Sequence, residues 1–169
     1  EMCIRDSTSI ECVIHIKTDA DAIVEFGTIP NPFSQKSDHL NLKANVPFHV
    51  KLTGLKPSTA YTYRLRYKKT GDADTATSPE YHFVTQRKPG EQFMFFVQGD
   101  SDPERTPKMH IPSLYERTLV TAASQRPDFF ICLGDDFSVD TLRERTSETI
   151  EGIYRRQVPY LSICLLYTS

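Results

Sequence analysis

Two apolar runs that stop at the same dipeptide constrain this chain more than any other feature. FMFFVQGD at residues 93–100 and DFFICLGD at 128–135 both end in Gly-Asp, and an amphipathic stretch, PSLYERTLVTAASQRP at 112–127, lies between them. A continuous apolar run of this kind reads as a strand covered on both faces. The stretch between reads as a helix. Ser113 and Glu116 have the spacing of a capping box, Leu114, Leu119 and the alanines form an inward stripe, and Pro127 stops it. Residues 93–134 are therefore expected to form one β-α-β unit, right-handed and with its two strands parallel. Neighbouring parallel strands end on one edge of the sheet, about 4.8 Å apart, and ligands of open α/β sheets bind outside that edge. This order sets Asp100 and Asp135 side by side at the tip of a hydrophobic sheet, with Gly99 and Gly134 allowing sharp turns.

Two carboxylates held together repel and raise each other's pKa unless positive charge lies between them. Converging oxygen ligands suit a hard or borderline divalent cation. A general acid and base pair of the glycosidase type and plain turn capping are the alternatives at this point.

The first half has a different period. IECVIHIKT, AIVEFG, FHVKLTGL, AYTYRLRYKK and EYHFVT, within residues 10–85, alternate apolar and polar positions and are separated by loops rich in Pro, Gly, Asp and Ser. Ile10, Cys12, Ile14 and Ile16 share one face, as do Phe48, Val50 and Leu52, and Tyr61, Tyr63, Leu65 and Tyr67. Short strands at this spacing predict a small antiparallel sandwich. His15, His39, His49 and His82 are scattered over it without ligand spacing, and TQRKPGEQ at 85–92 reads as a linker.

LTGLKPSTAYTYRLRY, residues 52–67, resembles the corner of fibronectin type III domains, especially those preceding the catalytic domain of purple acid phosphatases. The resemblance implies that Leu55 plugs the core, Pro57 presets the turn and Tyr61 makes a tyrosine corner with the backbone upstream. FFVQGDSD with RPDFFICLGDDFSVD resembles the first two metal motifs of calcineurin-like metallophosphoesterases, and the likeness extends over residues 8–163. It implies a fibronectin-like β-sandwich at 8–87, followed at 88–163 by the first β-α-β portion of an α/β metallophosphoesterase sandwich. It further implies two metal ions (Fe, Mn, Zn or Mg), with Asp100 ligating the first and Asp135 bridging both, and a water activated between them that attacks a phosphate ester.

Departures from the family pattern qualify these roles. Asp102 stands where many members have a ligating histidine, and Ser138 stands where purple acid phosphatases have an iron-binding tyrosine. Asp136 is expected to cap the turn or support the ligands, Asp140 to cap a turn or a helix within 141–157, Asp128 to be structural, and His110 to lie near the substrate mouth. The family's Gly-Asn-His motif, with the histidine that assists the leaving group, does not occur, so the segment by itself is expected to be inactive. The competing reading is an extracellular binding or adhesion protein whose fibronectin-like module precedes a degenerate α/β domain.

Composition narrows the partners. A formal charge of -2 with no Lys/Arg block leaves no nucleic-acid footprint, and no apolar stretch reaches the roughly 18 residues of a membrane span. The expected substrate is a small-molecule, lipid or nucleotide phosphate ester, and the family analogy favours a periplasmic, secreted or cell-surface setting. MCIRDS at 2–7 and CLLYTS at 164–169 can be encoded by nucleotides that are nearly reverse complements and match a transposase library end. Residues 1–7 and 164–169 are therefore expected to be translated adapter, which removes Cys3 and Cys164 and leaves Cys12 and Cys132 without a disulfide framework.

Overall fold

The computed structural model describes residues 7–99, 101, 105 and 111–165. The chain divides between Gln92 and Phe93 into two compact units.

The first unit is antiparallel throughout. Strands β1 (Ile10–Ile14) and β5 (Phe48–Leu52) pair as one sheet, with Ile10 opposite Leu52 and Cys12 opposite Val50. The larger sheet is built on β2 (Ala20–Thr28) and β6 (Ala60–Lys69). Around them lie β3 (Asn31–Lys36), β4 (Leu40–Leu42), β7 (Ala76–Thr77) and β8 (Tyr81–Val84). The inward faces follow the alternation in the sequence: Ile10, Cys12, Val50 and Leu52 from the small sheet meet Ala22, Val24, Phe26, Tyr61 and Phe83 from the large one in a single core. Tyr61 stacks on Phe83 with ring centroids 5.3 Å apart.

The corner after β5 is held by three side chains. Leu55 is buried, and the Tyr61 hydroxyl accepts the main-chain N–H of Lys56 at 2.9 Å. Thr85, also buried, donates its hydroxyl to the Lys56 carbonyl at 2.6 Å and accepts the Thr59 N–H at 2.9 Å. Tyr61→Phe strands the Lys56 N–H in a partly closed site, and the expected loss is about 1 kcal/mol in urea unfolding. A change within error would show that water replaces the hydroxyl.

In the second unit β9 (Phe95–Gln98) and β10 (Phe129–Cys132) are parallel, in register Phe95 to Phe129 and Val97 to Ile131, with α1 (Pro112–Ser124) between them in the chain. Asp128 is buried and clasps the start of the pair: its N–H donates to the Met94 carbonyl at 2.7 Å, and its carboxylate accepts the Met94 N–H at 3.0 Å. Its expected structural role is thereby located. Helix α2 (Ser147–Leu165) packs on α1 through Tyr115, Leu119, Tyr160 and Ile163, beside Phe130 of the sheet.

Several local expectations need correction. Helix α1 begins at Pro112, with Ile111 at its N-cap and no side-chain cap, so Ser113 and Glu116 make no capping box. Proline at the first helical position, with φ already set for the helix, fixes the start one residue early. Its buried stripe is Tyr115, Leu119, Ala122 and Ala123, while Leu114 is exposed. The following helix starts at Ser147, capped by Thr146 and Thr149, whose hydroxyls each accept the other's N–H at 3.2 and 3.0 Å. Asp140 is therefore no helix cap. It lies in a turn and pairs with Arg145 at 3.4 Å and Arg105 at 3.8 Å. Lastly, the helices cover only one face of β9 and β10: Phe95, Val97, Phe129 and Ile131 on the other are exposed, against the expectation of strands buried on both sides.

Candidate functional site

The carboxyl ends of β9 and β10 lie together, as parallel pairing demands. The ladder runs one step past β10, with the Leu133 N–H donating to the carbonyl of Gln98 at the end of β9 at 2.7 Å. Beyond it the chain turns at Gly134 (φ +111°) and Asp135 (φ +55°). Left-handed backbone comes without penalty only to glycine, and aspartate is among the few residues that enter it readily. Gly99 needs no such freedom. Its φ is not left-handed, and a Cβ there would make an ordinary 3.5 Å contact with Leu133. Among the described residues the left-handed turn lies after the second strand.

Ser101 joins the two loops, its hydroxyl donating to the main-chain carbonyl of Asp135 at 3.2 Å. The Asp135 side chain is exposed, and the adjacent Asp136 is half-buried. One carboxylate oxygen of Asp136, Oδ1, is shut off from solvent and accepts no hydrogen bond. Burial raises the pKa of Asp136, and the neighbouring Asp135 charge adds to the rise against an opposing hydrogen bond with Cys132. Cys132 keeps solvent access along its strand, yet its thiol lies against the carboxylate. Burial on that side and the Asp136 charge push it up to about 11, so it is a thiol and not a thiolate at neutral pH.

On the helix side, Tyr115 projects from the first turn of α1 and its hydroxyl accepts the Gln98 side-chain N–H at 3.2 Å. Burial raises its pKa, opposed by hydrogen bonds with Gln98 and Ser101. Gln98, Ser101, Tyr115, Cys132 and the two aspartates thus line one edge, where among the described residues Asp136 is disfavoured as an anion and its Oδ1 has no hydrogen-bond partner.

The donor chemistry at this edge fits a hard or borderline cation in type, because Asp135 and Asp136 offer carboxylate oxygen and Ser101 a hydroxyl. It falls short in number. Among the described residues no group of three His, Cys, Asp or Glu is placed to hold a metal ion. Asp100, Asp102 and His110 lie outside the described residues. Ser138 is buried, its hydroxyl accepting the Asp140 N–H at 3.2 Å, so it shapes the turn where a tyrosine ligand was absent from the sequence pattern. A shallow hollow of about 200 Å³ in the first unit, lined by Ile16, Lys17, Thr18, Ala20, Tyr67 and Lys69, carries no carboxylate and is separate chemistry.

Reading the sequence alone missed Gln98, Ser101, Tyr115 and Cys132. Two signals were available. Gln98 is the one polar residue closing an otherwise apolar run, and Tyr115 stands one helical turn before Leu119 on the buried stripe.

No protein-family profile matches the chain, and no curated protein sequence matches it. No helix among the described residues is long and apolar enough to cross a membrane. Solved structures do resemble it. Over 78% of its length it is similar to PhoD (TM-score 0.50, 18% identity) and to purple acid phosphatase PPD1 from yellow lupin (Lupinus luteus) seeds (TM-score 0.56, 19% identity). It spans only 26% of the first of those chains and 28% of the second. At these identities the likeness is one of fold: the chain, rich in β-strands with two helices, resembles part of each of these two structures.

Proposed function

We propose that this chain is part of a metal-dependent phosphoester hydrolase, with a fibronectin type III-like module before the opening β-α-β of a calcineurin-like domain. The observation that carries the reading is the shared carboxyl edge of β9 and β10, where Ser101 is tied to Asp135 and a second carboxylate, Asp136, has a buried oxygen without a partner. The Leu55 and Tyr61 corner supports the fibronectin-like assignment.

In this reading Asp135 and Asp100 hold the metal ions, with Asp102 as a further oxygen ligand. Two such ions, when bound, supply Lewis acidity toward phosphoryl oxygens and acidify water. The chain's own residues do the rest. Asp135 presents its carboxylate from a backbone fixed by Ser101. Asp136 adds negative potential behind it, and Tyr115 and Gln98 brace the edge from the helix side. The substrate is a small-molecule, lipid or nucleotide phosphate ester, handled outside the membrane or at the cell surface. The segment alone lacks a leaving-group acid and is inactive. The shortage of a third donor among the described residues favours the second reading, a binding or adhesion protein with a degenerate α/β domain.

Titrating the chain with Mn²⁺ or Zn²⁺ separates the two. Saturable binding is expected, weakened at least about tenfold by Asp135→Asn. Indistinguishable titrations of the two proteins would remove Asp135 from the site. In the full-length parent protein, hydrolysis of a chromogenic phosphate ester that survives Asp135→Ala would do the same.

A further inference from the structure

Val24 and Phe26 of β2 point into the core, so Glu25 between them belongs to the outer face of the larger sheet, and there it is buried. Three cations close over it. Arg64 of β6 donates to Oε2 from Nε at 2.9 Å and holds Nη2 2.8 Å from the same oxygen. Arg66 donates from Nη1 to Oε1 at 3.2 Å, and Nζ of Lys36 on β3 stands 3.7 Å from Oε1. Among the described residues these three side chains pair with no second carboxylate.

The charges do not balance. Three cations around one carboxylate, +3 against -1, leave two positive charges unmatched, in a chain whose formal charge is -2. Asp21 and Lys68, opposite each other farther along the same two strands, cancel and do not alter the excess. A cluster serving cohesion alone is complete with fewer cations, because further like charges side by side repel. The arginines are also pre-oriented. Glu25 fixes the inner edge of both guanidinium groups, and the Phe33 ring lies under that of Arg64, 3.8 Å from its centroid. A guanidinium carries five N–H donors in a planar fork. Glu25 engages only Nε and Nη2 of Arg64 and Nη1 of Arg66, so both keep donors, on side chains 29% and 42% exposed.

The remainder calls for an oxyanion of two charges. A carboxylate ligand would leave one positive charge unmatched. A phosphate group carries close to two negative charges near neutral pH, and its oxygens accept the paired N–H bonds of guanidinium forks.

We infer that Arg64, Arg66 and Lys36 form a binding site for a phosphate dianion, free or as a small monoester, on the outer face of the larger sheet, with Glu25 as the buried anchor that orients the two guanidinium groups. The site shares no residue with the carboxyl edge of β9 and β10, and it does not depend on the hydrolase reading.

Titrating the 169-residue chain with inorganic phosphate at fixed ionic strength tests this through the guanidinium Nε–H resonances, with a chelator present to keep metal from the second unit. Saturable shifts are expected for Arg64 and Arg66, and acetate should bind at least about tenfold more weakly. Glycerol phosphate separates the two sources: binding at least as tight as that of the inorganic ion assigns the site to an ester, and absence of binding assigns it to free phosphate. Arg66→Gln should weaken phosphate at least about tenfold, as for the loss of a charge-assisted bond. Lys51→Gln removes the same charge from an exposed position on β5 of the other sheet and should change the affinity by less than about twofold. Lys36 is the most exposed of the three cations at 57%, so Lys36→Gln keeps the fold even if Arg66→Gln does not, and it should weaken binding at least about threefold. Shifts that do not saturate, phosphate and acetate bound alike, or equal weakening by Lys36→Gln and Lys51→Gln each overturns the inference.

Discussion

Leu52→Ala is expected to lower the stability of the first unit by about 3 kcal/mol. Leu52 is 1% exposed and sits on β5 opposite Ile10, with its side chain in the core shared by both sheets. The truncation removes the transfer energy of the deleted methyl groups. It also opens a cavity that β1 and β5 close poorly, because this two-stranded sheet has no third strand to follow it inward. Leu52→Met keeps the volume and should lose less than about 1.5 kcal/mol. Hydrogen exchange of the β1, β2 and β5 amides in the whole chain reports the difference directly. A loss for alanine no greater than that for methionine would mean that the two sheets do not share one core.

The second large effect concerns Glu25, on the outer face of the larger sheet. Its side chain is 4% exposed, and Arg64 contacts it at 2.8 Å, Arg66 at 3.2 Å and Lys36 at 3.7 Å. Arg64 also lies over the Phe33 ring, 3.8 Å from its centroid. The cover is made by cations rather than by apolar core. Burial pushes the Glu25 carboxyl up, and hydrogen bonds from Arg64 and Arg66 more than reverse this, leaving it below the usual glutamate range. Removing the carboxylate leaves three cations facing one another, so Glu25→Ala is expected to cost about 2–3 kcal/mol. That lies below the full penalty for a broken buried pair, because the guanidinium groups keep solvent contact. In a double-mutant cycle, Arg64→Met should be less harmful on the Glu25→Met background than on the native one. Strict additivity would deny the pair any coupling. The sign with pH follows from the lowered pKa: the contribution is complete above the unfolded glutamate value of about 4.3 and disappears as pH falls through the lower folded value. Glu25→Gln should flatten that part of the acid unfolding curve.

Legibility varied with the kind of signal each segment carries. Strands with clean alternation, such as Phe48–Leu52 and Ala60–Lys69, could be read from the chain because apolar period alone decides which face is buried. β3, with Pro32 near its start, and the three-residue β4 could not. Proline argues against a strand except at an edge, and three residues carry too little period to count. The parallel β9/β10 pair was legible as topology, but its apolar character on both faces misled about cover, since composition records what a face needs and not what lies on it. The polar lining of the site, Gln98, Tyr115 and Cys132, is assembled from three elements, and a one-dimensional pattern does not bring them together.

The clasp at Asp128 has a reach beyond its own end of the sheet. These two bonds to Met94 act as an indexing pin for two short strands. If β10 slipped by one residue against β9, its carboxyl tip would advance by about 3.3 Å and every side chain on it would change faces. Asp135 would lose its alignment with Ser101, and Cys132 would turn away from the helices. The positional accuracy of the acidic edge is thus determined at the opposite end of the strands, by a carboxylate that does not itself reach that edge.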